Sequence, residues 1–251
     1  MNITNVLTKS DQACLEDTLR FYHDAITNDE SLKLFLTKKG LFNQSLIATF
    51  NLGLANRQLG LLLPSKQVKA GKDLRTKLQS IGILRASGHE QLNGSLVVPI
   101  TDLDGKVIDA YGLKLGNRLR KGTPLELNLG VETKGLWNVS AISYTEELIV
   151  CNSIIDAMTF WVHGYKNVVS LYLRAALTND ELALFKSSGV QRLLIAPSIS
   201  NTSDQIQQHG LASYVLKLPL GQSVNQYALS VSNAGNALGS LIRHSDWQEP
   251  E

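Results

Sequence analysis

Cysteine is scarce in this chain: two residues in 251, Cys14 and Cys151, lie far apart in sequence. That scarcity excludes a disulfide-built scaffold and a Cys-rich zinc module, and it points to a reducing, cytoplasmic setting. Long apolar runs are missing as well. None reaches the roughly 18 residues of a membrane span, and no basic start leads into an apolar signal segment, so neither insertion nor export is expected. Neither sign of charge dominates: 24 Lys and Arg against 22 Asp and Glu leave a net +2. A basic surface for a polyanion would therefore have to come from local clustering. The Gly-x-x-x-x-Gly-Lys-Ser/Thr and Gly-x-Gly-x-x-Gly patterns are also absent, which disfavours a P-loop ATPase or a dinucleotide enzyme.

What is present is the composition of a globular α/β protein, 43% hydrophobic and 18% charged, long enough for one large domain or two small ones. Leu15 to Ala25 carries apolar residues at helical spacing. Thr27-Asn28-Asp29-Glu30 reads as a capping box, with Thr27 as N-cap of a helix that stops at Gly40. Further helices are expected over 44–50 and 71–81. Ser95–Ile100 and Lys106–Tyr111 are rich in β-branched residues and flank Asp102-Leu103-Asp104-Gly105, a hairpin signal. Gly116 to Pro124 reads as a basic loop.

From about residue 145 the rhythm becomes strand, helix, strand, helix, which implies a parallel sheet covered by helices. Leu148–Cys151 leads into a helix over Ile154–His163. Strands follow over 167–173, 191–196 and 213–217, with helices from Asp180, under a Thr178/Glu181 capping box, and around 204–209. The stretch 230–251 is polar and reads as a weak helix and a loose tail. In open α/β sheets ligands and metals sit at the C-terminal ends of strands. Here those ends carry Asn152-Ser153 and Pro197-Ser198-Ile199-Ser200, with Asp156 the nearest acid.

Several segments, in order, carry a family resemblance: Phe21-Tyr22-His23, Phe35 to Leu41, Phe50-Asn51-Leu52-Gly53-Leu54-Ala55, Gly94 to Ile100 with Asp102 to Gly112, and Lys134-Gly135-Leu136-Trp137-Asn138. Over roughly residues 15–228 the chain resembles bacterial DnaG-type DNA primases, and more closely the primase-like proteins of mobile elements. The resemblance implies an α/β fold in two parts. Residues 1–142 would form an α+β amino-terminal subdomain, residues 143–228 a Rossmann-like TOPRIM subdomain with a mostly parallel sheet, and residues 229–251 a carboxy-terminal tail. A zinc module and a helicase-binding domain, which such primases carry, are not expected here.

In that family a Glu ends the first TOPRIM strand, an Asp follows four residues on, an Asp-x-Asp ends the third strand, and a later acid lies in a Pro-x-Gly-x-Asp-x-Asn element. Together they hold Mg2+ or Mn2+, hard cations that want charged oxygen ligands. On this chain those positions are Asn152, Asp156, Ser198 and Ser200, and Ser223. Only Asp156 keeps its acid, and as a first-turn helix residue it has a structural reading too. No metal cofactor is therefore expected. The resemblance also points to Lys114 and Lys134 as phosphate contacts, beside a loop cluster of Arg118, Arg120 and Lys121.

The preferred expectation is a catalytically degenerate primase-like protein that binds single-stranded DNA or RNA, or another replication or mobile-element protein. One alternative is an active primase with a rearranged acid site built from Asp156, Glu147 and an acid such as Asp204, which would use Mg2+ or Mn2+. Another is a structural or inhibitory partner of an active homologue. His89 of His89-Glu90 reads as a polar structural contact, His163 and His209 as helix-end residues, and Trp137 and Trp161 as core.

Overall fold

The structure, a computed structural model, describes residues 7–116, 119–130, 133, 135–201 and 203–247. The chain opens with helix α1 (Lys9–Asp24), which starts earlier than its apolar spacing suggested because Thr8 and Asp11 form a capping box. A short 3-10 turn over 25–28 leads to α2 (Glu30–Lys38). The oxygen found at this helix start is that of Asp29, which accepts the N–H groups of Ser31 at 2.9 Å and Leu32 at 3.1 Å. The Thr27 side chain, expected as the cap, lies outside the described residues.

Helix α3 (Gln44–Thr49), strand β1 (Gly53–Ala55), α4 (Leu59–Leu62) and α5 (Lys69–Ser80) follow. Then come the hairpin β2 (Ser95–Thr101) and β3 (Val107–Lys114), and a short β4 (Glu126–Asn128). These four strands form one sheet in sequence order. Gly105, at φ +77°, takes the left-handed turn position that the Asp-Gly pair signalled. Gly53 has a different reason to be glycine: a Cβ there would lie 2.9 Å from the Tyr22 backbone, so α1 can lie on β1 only without one. Leu15, Leu19, Tyr22, Leu78, Ile83 and Val97 belong to the core of this part.

After a 3-10 stretch over 139–144 the second sheet begins with β5 (Glu147–Cys151), α6 (Ile154–Val162), β6 (Val168–Ser170), α7 (Asn179–Ser187) and β7 (Arg192–Ile195). It continues through α8 (Ser203–Gln207), β8 (Ala212–Val215), α9 (Val224–Ser230), α10 (Ala234–Arg243) and β9 (Asp246–Trp247). The sheet order is β6-β5-β7-β8-β9, parallel except for β9. The Thr178/Glu181 capping box forms as expected. The polar stretch after 230 is not a loose tail throughout: in α10 Leu238 and Leu241 are buried, and β9 pairs with β8.

The outer edge of β6 is closed by Trp137, which exchanges both main-chain hydrogen bonds with Ser170, and by the Asn138 side chain, which donates to the Val168 carbonyl at 2.7 Å. Two compact units emerge. The first comprises Met1–Phe35, Ile47–Ile100 and Lys106–Lys134; the second comprises Leu36–Leu46, Thr101–Gly105 and Gly135–Glu251. Among the described residues no helix is long and apolar enough to cross a membrane.

Candidate functional site

Strand β5 is followed in the chain by β6 on one side of it and then by β7 on the other. The reversal makes a crevice at the carboxyl ends of β5 and β7, where α/β sheets place ligands. Asn152 and Ser198 stand at those two ends, and the Ser198 hydroxyl donates to Asn152 Oδ1 at 2.7 Å. Two carboxylates facing each other here would repel and call for a cation. A hydroxyl and an amide satisfy each other directly.

Asp156 is buried on helix α6, whose residues 154–161 are all buried. Its Oδ1 accepts the Asn225 N–H at 2.8 Å, and the Ser223 hydroxyl and Val224 N–H also bear on the carboxylate. Burial pushes the carboxyl above its usual range, against the pull of those donors and of Lys39. Asn225, itself buried, continues the network by donating to the Lys39 carbonyl at 2.8 Å and to Thr159 Oγ1 at 2.9 Å. Asp156 thus sits at the amino end of α9 as an internal acceptor, satisfying N–H groups that a helix start leaves open.

The other two positions are likewise engaged. Ser223 is the N-cap of α9 in a capping box with Gln226. Ser200 turns to the loop after β6, its N–H donating to the Ala175 carbonyl at 2.8 Å and its hydroxyl at 3.2 Å. Asn201 grips the same loop through both backbone groups of Leu177, and Arg174 braces it with a two-pronged bond to Glu181 at 2.6 and 3.0 Å. Glu147 stands at the opposite end of β5 from Asn152, roughly 13 Å from Cys151 along the strand at about 3.3 Å per residue, and pairs with Arg192 at 3.3 Å. Asp204 lies in the first turn of α8.

This donor set does not fit a divalent cation. Among the described residues no three acids, histidines or cysteines come together. The acid on α6 is committed to helix α9, and the described residues at the crevice, Asn152 and Ser198, bring neutral oxygens, which supply no charge balance for Mg2+ or Mn2+.

In the first unit, Lys114 is buried at the end of β3, where its ammonium donates to the Asn93 carbonyl, with Asn93 Oδ1 at 3.4 Å. Burial lowers its pKa, and the charges of Arg85 and Arg57 lower it further. Lys114 is therefore not an open phosphate hook. It is the covered member of a cationic group whose other two members, Arg57 and Arg85, are exposed. Arg57 holds a left-handed backbone, φ +70°, and its guanidinium lies against Gly94, where a Cβ would sit 3.4 Å from Nη2. Such backbone strain in a non-glycine residue is found preferentially where function needs it. Arg85 is steadied by Gln91, with bonds of 3.0 Å to its side chain and to its carbonyl.

Sequence reading missed both arginines. Arg57 follows the Phe50–Ala55 element and Arg85 precedes the hairpin, and only the fold brings them to Lys114. Arg120 and Lys121 are exposed; Arg118 and Lys134 lie outside the described residues. His89 is exposed. Its neighbour Glu90 is the buried one, accepting the Leu59 N–H at 3.2 Å at the start of α4. Trp137 and Trp161 are core residues, and His163 is the C-cap of α6.

No protein-family profile and no curated protein matches the chain. Solved structures do. The zinc-binding and RNA polymerase domains of the Aquifex aeolicus primase superpose with a TM-score of 0.77 at 18% identity, covering 98% of this chain and 64% of that one. The chain thus spans less than two thirds of that fragment. The E. coli primase catalytic core gives 0.72 at 18% identity, over 94% of this chain and 80% of that one. A DnaG primase catalytic domain bound to single-stranded DNA gives 0.74 at 17% identity, over 95% and 82%. The fold is a mixed α/β one of the primase catalytic-core type.

Proposed function

We propose that the protein is a nucleic-acid-binding module of the replication or mobile-element machinery, cytoplasmic in setting, that keeps a primase-type scaffold without metal-dependent synthesis. The observation that carries this reading is the neutral bond from Ser198 to Asn152 across the sheet's switch point, with Asp156 spent on helix α9. Primer synthesis needs cations to neutralise triphosphate charge and assist the attacking hydroxyl, and among the described residues this crevice gathers no charged ligands to hold them. Binding needs only cations on the protein. Arg57, Arg85, Arg120 and Lys121 are open to solvent for that task.

Two measurements test the reading. Purified protein given a DNA template, nucleotides and Mg2+ or Mn2+ is expected to make no primer; robust template-dependent synthesis overturns the proposal in favour of a rearranged acid site. Fluorescence anisotropy with a single-stranded oligonucleotide is expected to show affinity that falls with salt. With four to six phosphates neutralised, the slope of log K on log salt is about −3 to −4. A slope near zero would remove the nucleic-acid role.

A further inference from the structure

The stretch Arg57 to Lys77, part of the first unit, contains six basic residues and one acid, Asp73, so it carries more positive charge than the +2 of the whole chain. Lys77 is paired with Asp11 at 3.7 Å, and Arg75 donates to the carbonyls of Gly60 and Pro64 at 3.4 and 3.3 Å. Lys66, Lys69 and Lys72 are exposed, and among the described residues none has an acidic partner. Beside them the chain shows unusual apolar exposure: Leu61 is 83% exposed, Leu62 67% and Val68 51%.

The surface is also pre-formed. A Cβ on Gly71 would lie 2.0 Å from the Ser65 carbonyl oxygen, so the loop after α4 rests directly on α5 in a way only glycine allows. Together with the two Arg75 bonds this fixes the leucine-bearing turn against the lysine-bearing helix. A rigid surface loses little conformational freedom when a partner arrives.

We propose that this α4–α5 corner docks a protein segment that is at once apolar and acidic, such as an amphipathic helix with a leucine-type stripe bordered by Asp and Glu. Carboxylates complement Lys66, Lys69 and Lys72, and the stripe covers Leu61, Leu62 and Val68. A nucleic acid would answer the lysines but leave the leucines wet, and no residue from Arg57 to Lys77 is aromatic, so there is no platform for stacking bases. A bilayer surface is equally poorly served by three aliphatic side chains without an aromatic anchor. None of these residues belongs to the switch-point crevice, and the proposal stands whether or not the protein makes primers.

The test uses the full chain and a fluorescein-labelled helical peptide with leucines on one face and glutamates on its borders. A scrambled peptide of the same composition is the control. Saturable binding is expected for the amphipathic peptide and at least about tenfold weaker binding for the scrambled one. The double variants Leu61→Ser/Leu62→Ser and Lys69→Glu/Lys72→Glu should each weaken binding by about tenfold or more. All four changes are at exposed positions, so the thermal midpoint should hold and show that the variants are folded. The proposal is overturned by absence of saturable binding, by equal binding of the scrambled peptide, or by variants that leave the peptide's affinity unchanged. It is also overturned if the leucine variant instead abolishes binding to anionic phosphatidylglycerol vesicles or to oligothymidylate.

Discussion

Replacing Asp156 separates a structural acid from a catalytic one. Its carboxylate receives the Asn225 N–H at 2.8 Å, with the Ser223 hydroxyl and Val224 N–H beside it, in a buried setting. Asp156→Ala removes the acceptor and leaves those donors without a partner. Each orphaned donor costs about 1–3 kcal/mol, offset in part because a buried carboxylate is itself costly, so a net loss of about 2–4 kcal/mol is expected. For a chain of this size each kcal/mol lowers Tm by roughly 2–4 °C, which makes the drop about 4–16 °C. Asp156→Asn keeps one acceptor oxygen and should cost about 1 kcal/mol.

The pH dependence fixes the sign. Burial raises the folded-state pKa above the unfolded one, so folding favours the protonated acid. Its contribution is full below the unfolded pKa of about 3.9 and is lost as pH rises through the folded pKa. Wild type should therefore lose ground relative to Asp156→Asn as pH rises through that window. Differential scanning calorimetry of the three proteins across the acidic range is the assay. An unchanged Tm for Asp156→Ala, or a stability gap to the Asn variant that ignores pH, refutes the structural role of Asp156 at the start of α9.

The remaining predictions address other parts of the molecule. Restoring acids with Asn152→Glu, Ser198→Asp and Ser200→Asp should lower Tm in EDTA through like-charge repulsion and create a Mn2+-dependent rise, about 2.7 kcal/mol at a hundredfold excess over Kd; a calorimetric titration without heat or stabilisation counts against the crevice reading. Gly53→Ala should destabilise by about 1–3 kcal/mol, since its Cβ would meet the Tyr22 backbone at 2.9 Å, and urea melts would show it. Arg57→Ala and Arg85→Ala should each weaken single-stranded DNA binding and reduce the salt slope by about 0.7. Lys114→Met, by contrast, should mainly lower thermal stability, because Lys114 is buried against Asn93.

The second sheet was legible because its signals are local. Runs such as Leu148-Ile149-Val150-Cys151 have one use, and Thr178 with Glu181 announces a helix start that forms as read. At the start of α2 the pattern did not announce the 3-10 turn over 25–28 that precedes the helix, nor that Asp29 would accept its first N–H groups. β4 escaped notice because three residues after Pro124 carry no periodicity, and it exists through pairing with β3. Helix α10 was hidden by its Asn, Gly and Ser content, although Leu238 and Leu241 supply a buried face. At the crevice the positions were readable and their interactions were not. Ser198 and Asn152 lie 46 residues apart, and a hydrogen bond between them is a property of β5 lying beside β7.

The closed rim of β6 has a further consequence. Strands at the margin of a sheet are templates for other chains, and β6 is a short, wholly buried one, Val168-Val169-Ser170. Trp137 takes its main-chain valences and the Asn138 amide covers a carbonyl beside them. At the other margin the described part of β9, Asp246–Trp247, runs antiparallel to β8. A margin guarded in this way recruits neither a copy of the chain nor a stray strand by backbone zippering, and what binds along β6 must be selected through side chains.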